Sequence, residues 1–296
     1  VPRLYNFVMG ARPVRFILEH VAGMVDSPLL SMTDFDAVCR RWGVEIATPE
    51  LLSALGDQQR ARSVILVQDA FTRYFETPVL SDWIELISRL GYQVYIAPFA
   101  PNGKPLQVQG FIKAFEKAAN FNSEALRQLQ RYEIPLVGLD PAMTLVYRQE
   151  YAKTLSSEKV PTVLLPQEWL AGALPQAQSV KDAAAYYFLP HCTEKTNEPS
   201  SIGLWQQVYE RMGLKLSIQA SGCCGMSGTY GHETKNAGTS VVIYKQSWAP
   251  LVKKFNASGR LLADGYSCRS QVKRQEGVTI LHPLQALLAV VRNVTA

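Results

Sequence analysis

From Ser63 onward, short β-branched or apolar runs alternate with longer stretches in which apolar residues recur every three or four positions. That alternation predicts an α/β fold, with parallel strands joined by amphipathic helices. Ahead of it, Val14, Ile17, Leu18 and Val21 share one helical face, and a Ser- and Asp-rich break follows at 26–36. Residues 1–61 are therefore expected to form a helical connecting segment. A first unit, 62–175, opens with the apolar run 64–67 and a helix carrying Trp83, Leu86, Ile87 and Leu90 that Gly91 should end. It continues through strand 93–97, helix 109–130, strand 135–139, helix 142–153 and strand 162–165. The second unit, 176–296, repeats the order: strand 184–189, a helix with Leu204, Trp205, Val208 and Met212 closed by Gly213, and strand 215–219. A helix over 241–255 and strands at 260–263 and 278–281 complete it.

Laid over one another at a constant offset, the units put Ala70 on Cys192 and Pro101-Asn102-Gly103 on Cys223-Cys224-Gly225. Further along the offset drifts, with Ala142 at roughly the place of Cys268. The fold predicted is thus two tandem pseudo-repeated α/β units with mainly parallel sheets, of which only the second carries cysteines at these four places. Cysteines serving only as small core residues have little reason to come and go as a set.

Composition narrows the function without naming it. The 296 residues are 47% hydrophobic and 19% charged with a net charge of +5, ordinary globular values that leave disorder and fibrous classes aside. Pairs such as Arg40-Arg41 and Lys253-Lys254 are short and scattered, so they read as solvated faces and no nucleic-acid surface is expected. The apolar stretch 284–291 falls far short of the roughly 18 residues that suggest a membrane span. The chain starts Val-Pro-Arg without Met, and Arg3, Arg12, Arg15 and Glu19 interrupt any signal-peptide core, so it reads as a piece of a longer protein. Five cysteines are few and odd in number, which fits a reducing compartment, with the cytoplasm as default.

Four of the five cysteines lie in the last third. Ligands of open parallel sheets bind outside the carboxyl ends of the strands, and Cys192, Cys223, Cys224 and Cys268 each follow a predicted strand end, so all four are expected to meet at one edge. Thiolates select zinc, copper(I) or iron–sulfur clusters over magnesium or calcium. Gly222, Gly225 and Gly228 would let the backbone come close and donate N–H groups to sulfur. His191 and His232 flank the site as ligands, as donors behind the ligands or as loop residues, with the last two readings favoured. Tyr230, Lys235 and Asn236 fall in the same loop. Cys39 reads as a core residue. The 225–228 loop lacks any phosphate-binding pattern, and neither a Ser-His-Asp spacing nor a metalloprotease helix supports hydrolysis.

Pro190-His-Cys192, Cys223-Cys224-Gly-Met-Ser-Gly-Thr-Tyr230 and Gly265-Tyr-Ser-Cys268-Arg-Ser-Gln271 together resemble the CCG cysteine-rich domain. That domain occurs in heterodisulfide reductase subunits, in iron–sulfur subunits of glycolate and anaerobic glycerol-3-phosphate dehydrogenases, and at the end of fused FAD-linked oxidases. The likeness covers roughly residues 62–290. With Asp69-Ala-Phe-Thr-Arg-Tyr-Phe75 in the copy without cysteines, the chain is most similar to the C-terminal region of bacterial fused FAD-linked oxidases of the D-lactate or D-2-hydroxyglutarate dehydrogenase type. The family pattern often ends CxxC, whereas Gln271 stands in the last position here.

The resemblance implies an iron–sulfur cluster of the 4Fe-4S type held by Cys192, Cys223, Cys224 and Cys268, with Gly225, Gly228, His191 and Tyr230 around it. It implies FAD and a ferredoxin-like domain upstream in the same polypeptide, an electron acceptor, and oxidation of a 2-hydroxy acid outside this stretch. The place implied is the cytoplasm, or the periphery of the inner membrane. Zinc in a structural interaction module, and a disulfide-reducing site of the heterodisulfide reductase kind, are the alternatives to electron relay.

Overall fold

The computed structural model describes residues 2–174 and 185–294. Two parallel sheets organise it. The first has the order β1-β3-β2-β4, with β1 at Glu45–Ile46, β2 at Ser63–Leu66, β3 at Gln93–Ile96 and β4 at Leu136–Val137. The second has the order β6-β5-β7, with β5 at Tyr186–Leu189, β6 at Leu216–Ile218 and β7 at Leu261–Ala263. Every strand pair is parallel, with Val64 opposite Val94 and Phe188 opposite Leu262. The α/β class with parallel sheets is as the sequence pattern predicts.

Alternation along the strands sorts the core. Val64 and Leu66 point to one face of the first sheet, where they join Trp83, Phe188, Trp205 and Leu262 in one buried cluster. One apolar core thus runs between the two sheets. Ile65 points the other way, into a cluster with Tyr95, Phe115 and Tyr151. On the outer face of the second sheet, Leu189, Tyr244 and Trp248 pack with Cys224 and Cys268. The last helix, Pro283–Val294, returns from the second sheet to lie against Thr77–Arg89. There Arg292 pairs with Glu85 at 2.7 Å and Gln285 donates to Asp82 at 2.8 Å.

Several element boundaries differ from the sequence reading. Glu45–Ile46, inside the expected helical segment, adds an edge strand to the first sheet. The strands expected at 162–165 and 278–281 are single parallel bridges, Leu164 to Val137 and Leu281 to Leu262. The helix expected at 109–130 starts at Ile112, because Gly110 takes a left-handed φ of 80° after the short helix Lys104–Val108. The helix expected at 142–153 is three short pieces, Pro141–Thr144, Val146–Gln149 and a 3-10 turn Tyr151–Lys153. That expected at 241–255 begins at Thr234 and divides at Trp248, two residues before Pro250, whose missing N–H ends the ladder. Gly91 and Gly213 end their helices with φ of 82° and 70°, as expected. The start of the strand expected at 184–189 falls partly outside the described residues.

Candidate metal centre

Each cysteine sits just beyond a strand of the second sheet. Cys192 opens the helix Cys192–Asn197 after β5, Cys223 and Cys224 lie in the loop after β6, and Cys268 is in the helix Tyr266–Glu276 after β7. His191 caps the first of these helices, its Nδ1 accepting from Thr193 N–H at 3.1 Å. That leaves the ring proton on Nε2, 3.3 Å from Ser267 Oγ. His191 N–H in turn donates to Asp264 Oδ1 at 2.9 Å, so the loops after β5 and β7 are tied together. Gly265 makes this possible, since a Cβ there would stand 2.2 Å from the His191 ring.

The β6 loop is held from three sides. Ser247 Oγ accepts from Gly222 N–H at 2.7 Å, Trp248 Nε1 donates to Gly222 O at 3.1 Å, and Lys195 reaches Ser221. Gly225 has φ of 86°, and a Cβ on it would lie 2.3 Å from the Ser240 carbonyl oxygen. In that conformation its N–H donates to Cys223 Sγ at 3.3 Å. Gln271, at the position where the CCG pattern often has a further Cys, is fully buried and donates to Ser240 Oγ at 3.0 Å.

The thiols form one connected group. Cys192, Cys223 and Cys224 line one cavity, and Cys224 packs with Cys268 in one buried cluster. The neighbouring thiols of Cys192 and Cys224, and then the Gly225 N–H, hold Cys223 below the usual thiol range despite its burial. Cys192 and Cys224 are pushed up, first because their protons are engaged by neighbouring sulfur and then by burial. All five cysteines are free thiols, and Cys39 lies apart, half-buried against the shared core.

A cavity of about 290 Å³ opens over the group. Cys192, Cys223, Cys224, His191 and Gly228 line one side, and Phe71, Lys104 and Met143 of the first unit line the other. Cys268 and Gly225 are buried behind it. Tyr230, in a 3-10 turn, lies outside the lining, as do Lys235, which pairs with Glu233, and Asn236. His232 is half-buried with Nδ1 on Val25 O at 3.1 Å, away from the cysteines.

Asp264, Glu194 and the first-unit wall were not singled out by sequence reasoning. Glu194 is fully buried, accepting from Gln167 and Ser201 at 2.6 Å each, and burial and then Asp264 push its carboxyl well above the usual range. A carboxylate directly after a strand and before Gly-Tyr-Ser-Cys was the available signal for Asp264. On the first-unit side, Asp140 accepts from Tyr266 N–H at 2.7 Å, and Tyr266 stacks on Phe71 at 4.8 Å.

Asp69, behind that wall, caps its helix by accepting from Phe71 and Thr72 N–H. Burial, and then the charge of Asp140, push its carboxyl up to about 7. The native state therefore keeps a proton that the unfolded chain loses near pH 4. Stability should fall as pH rises between about 4 and 7, by at most about 1.4 kcal/mol per pH unit from this group. Asp69→Asn keeps a capping oxygen and is expected to flatten that slope in urea midpoints measured across this range; an unchanged slope would show that Asp69 titrates normally.

Gly225→Ala should lower stability by about 2 kcal/mol, combining the left-handed strain with a clash against backbone. Gly228→Ala, at φ of 64° with open space around it, should cost about 1 kcal/mol from strain alone. Equal denaturation midpoints for the two variants would contradict the close approach to Ser240.

The donor set fits a thiophilic centre: four soft sulfurs at one edge of the second sheet, with a backbone N–H aimed at one of them. Among the described residues no group of three or more His, Cys, Asp or Glu side chains is placed to hold a metal ion.

No protein-family model matches the chain. It is 54% identical over 287 residues to D-2-hydroxyglutarate dehydrogenase of Pseudomonas putida, covering 97% of this chain and 28% of that protein. It is 41% identical over 293 residues to D-2-hydroxyglutarate dehydrogenase of Escherichia coli, covering 98% and 29%. To one of the subunits of anaerobic glycerol-3-phosphate dehydrogenase of Escherichia coli it is 24% identical over 295 residues, covering 96% and 71%. The chain thus spans less than a third of the length of the D-2-hydroxyglutarate dehydrogenases it matches. Among the described residues no helix is long and apolar enough to cross a membrane.

Proposed function

We propose that this chain is the iron–sulfur-binding, electron-relaying C-terminal part of a larger FAD-linked 2-hydroxy acid dehydrogenase. Cys192, Cys223, Cys224 and Cys268 hold the cluster. The observation that carries this reading is the gathering of four thiols just beyond the carboxyl ends of the second sheet, three of them lining one cavity and Cys268 packed against Cys224. Likeness to two dehydrogenases at 54% and 41% identity supports the oxidoreductase class. When bound, an iron–sulfur cluster supplies one-electron storage at a potential set by sulfur charge, hydrogen bonds and exposure.

The residues around it have separable tasks. Gly225 N–H stabilises negative charge on Cys223, and His191 orients the Cys192 loop through its bonds to Asp264 and Ser267. The cavity admits an acceptor or a reduced donor to within reach of Cys192 and Cys223. Flavin and 2-hydroxy acid chemistry belong to the upstream part of the polypeptide. We also read the chain as a CCG domain in two pseudo-repeats, 62–175 and 176–296, behind the connecting segment 1–61. Asp69 and His191 both cap helices whose first residues are Ala70 and Cys192. Trp83 and Trp205, at that same spacing, are both fully buried, and Gly103 and Gly225 share a left-handed φ of 80° and 86°.

Iron, zinc and acid-labile sulfide, measured on anaerobically prepared protein, test the reading. Iron with sulfide is the expected result, and zinc alone would make this a structural module. Protein with neither, after an anaerobic reconstitution attempt with iron and sulfide, would rule out a cluster.

A further inference from the structure

Half of the large exposed hydrophobic side chains among the described residues, nine of eighteen, fall within residues 4–32. They are carried largely by two helices, α1 (Pro2–Gly10) and α2 (Arg12–His20), neither of which has a buried residue. Leu4, Phe7 and Val8 share one face of α1, and Phe16, Ile17 and Val21 continue the apolar surface along α2, with Phe7 78% and Phe16 61% exposed. Scattered single hydrophobics need no explanation, but a grouped set of this kind marks an interaction site.

The pair is not loose. Asn6 exchanges two hydrogen bonds of 2.8 Å with the Leu30 backbone, closing α1 onto the segment that follows α2. Beyond α2, Met24 bridges Glu233, Val25 N–H donates to His232 O at 2.7 Å, and Thr234 N–H donates to Gly23 O at 2.8 Å. Arg274, from the helix that carries Cys268, pairs with Asp26 at 2.8 Å and donates to Gly231 O. These anchors sit in the loop that continues from Cys223-Cys224 through the cavity-lining Ser227, Gly228 and Thr229. The segment that follows α2 is therefore tied to the loop that continues from Cys223-Cys224.

We propose that this face of α1 and α2 is the docking surface for the remaining part of the longer polypeptide, an apolar protein surface with acidic groups at its edge. The length argument favours an intramolecular protein partner: the matching dehydrogenases extend far beyond the stretch this chain spans, at 28% and 29% coverage. Arg3, Arg12 and Arg15 against Glu19 make the rim basic, which calls for acidic complements. Docking there places the partner against the loop adjoining Cys223 and Cys224. The inference rests on the reading that this chain is part of a longer dehydrogenase polypeptide, but not on what the thiols bind.

Hydroxyl-radical footprinting of the full-length polypeptide tests it, with Phe111 and Phe121, 62% and 67% exposed here, as internal references. Phe7 and Phe16 are expected to be modified several-fold less than either reference. The double substitution Phe7→Asp/Phe16→Asp should then raise modification of Met24 and Met32 while the free-thiol count of the denatured protein stays the same. Phe7 and Phe16 as reactive as the references would overturn the proposal. So would protection that appears only with phosphatidylglycerol vesicles, the mark of a membrane-surface helix, or protection that vanishes on dilution, the mark of a second copy.

Discussion

Cys223→Ser is expected to abolish iron and acid-labile sulfide binding in anaerobically prepared protein, whereas Cys39→Ser leaves both at the wild-type level. Cys223 lines the cavity between Cys192 and Cys224 and is the sulfur that Gly225 N–H addresses at 3.3 Å. A serine there offers a harder oxygen that stays protonated at neutral pH, so both softness and charge are lost. Cys39 lies half-buried in the shared core and touches none of the other four. In the full-length polypeptide the same substitution should leave flavin reduction by a 2-hydroxy acid intact and stop transfer to the acceptor. Unchanged turnover would show that electrons leave the flavin by another route, and unchanged iron would show that Cys223 is not a ligand.

Much of this arrangement was legible in the residues because two strong patterns carry it. The continuous apolar run Val64-Ile-Leu-Val67, buried throughout β2, and the helical spacing of Trp83, Leu86, Ile87 and Leu90 pointed to an α/β chain with parallel strands, and strand-end placement to the meeting of four cysteines separated by dozens of residues. What escaped the reading depended on contacts without a local pattern. Glu45–Ile46 is too short to show alternation and is a strand only because β3 offers it a partner. Tyr266 N–H on Asp140, and Phe71 and Met143 over the thiols, join positions that lie far apart in the chain and that no spacing rule links. The exposure of α1 was also invisible, since an apolar helical face reads the same whether it meets the core of its own unit or another surface.

Arg269→Met is expected to destabilise the protein by about 2–3 kcal/mol, since it removes a buried guanidinium from a pair whose carboxylate, Glu76, stays partly exposed. Arg269 is 4% exposed and one residue beyond Cys268. It donates to Ala263 O at 2.8 Å at the end of β7, and pairs with Glu76 of the first unit, to which its Nε donates at 3.2 Å. Methionine matches its length and apolar stem, so the loss isolates charge and hydrogen bonding from volume. The helix bearing Cys268 is thus fastened to the first unit through Arg269 and Glu76, and through Tyr266 and Asp140. The double substitution Arg269→Met/Glu76→Leu removes both charges and should recover more than half of the loss, because the penalty lies in the uncompensated carboxylate. Chemical denaturation of the two variants separates the cases: a double variant no more stable than the single one would assign the cost to the Ala263 contact, and a single variant close to wild type would mean that the pair does not hold the helix.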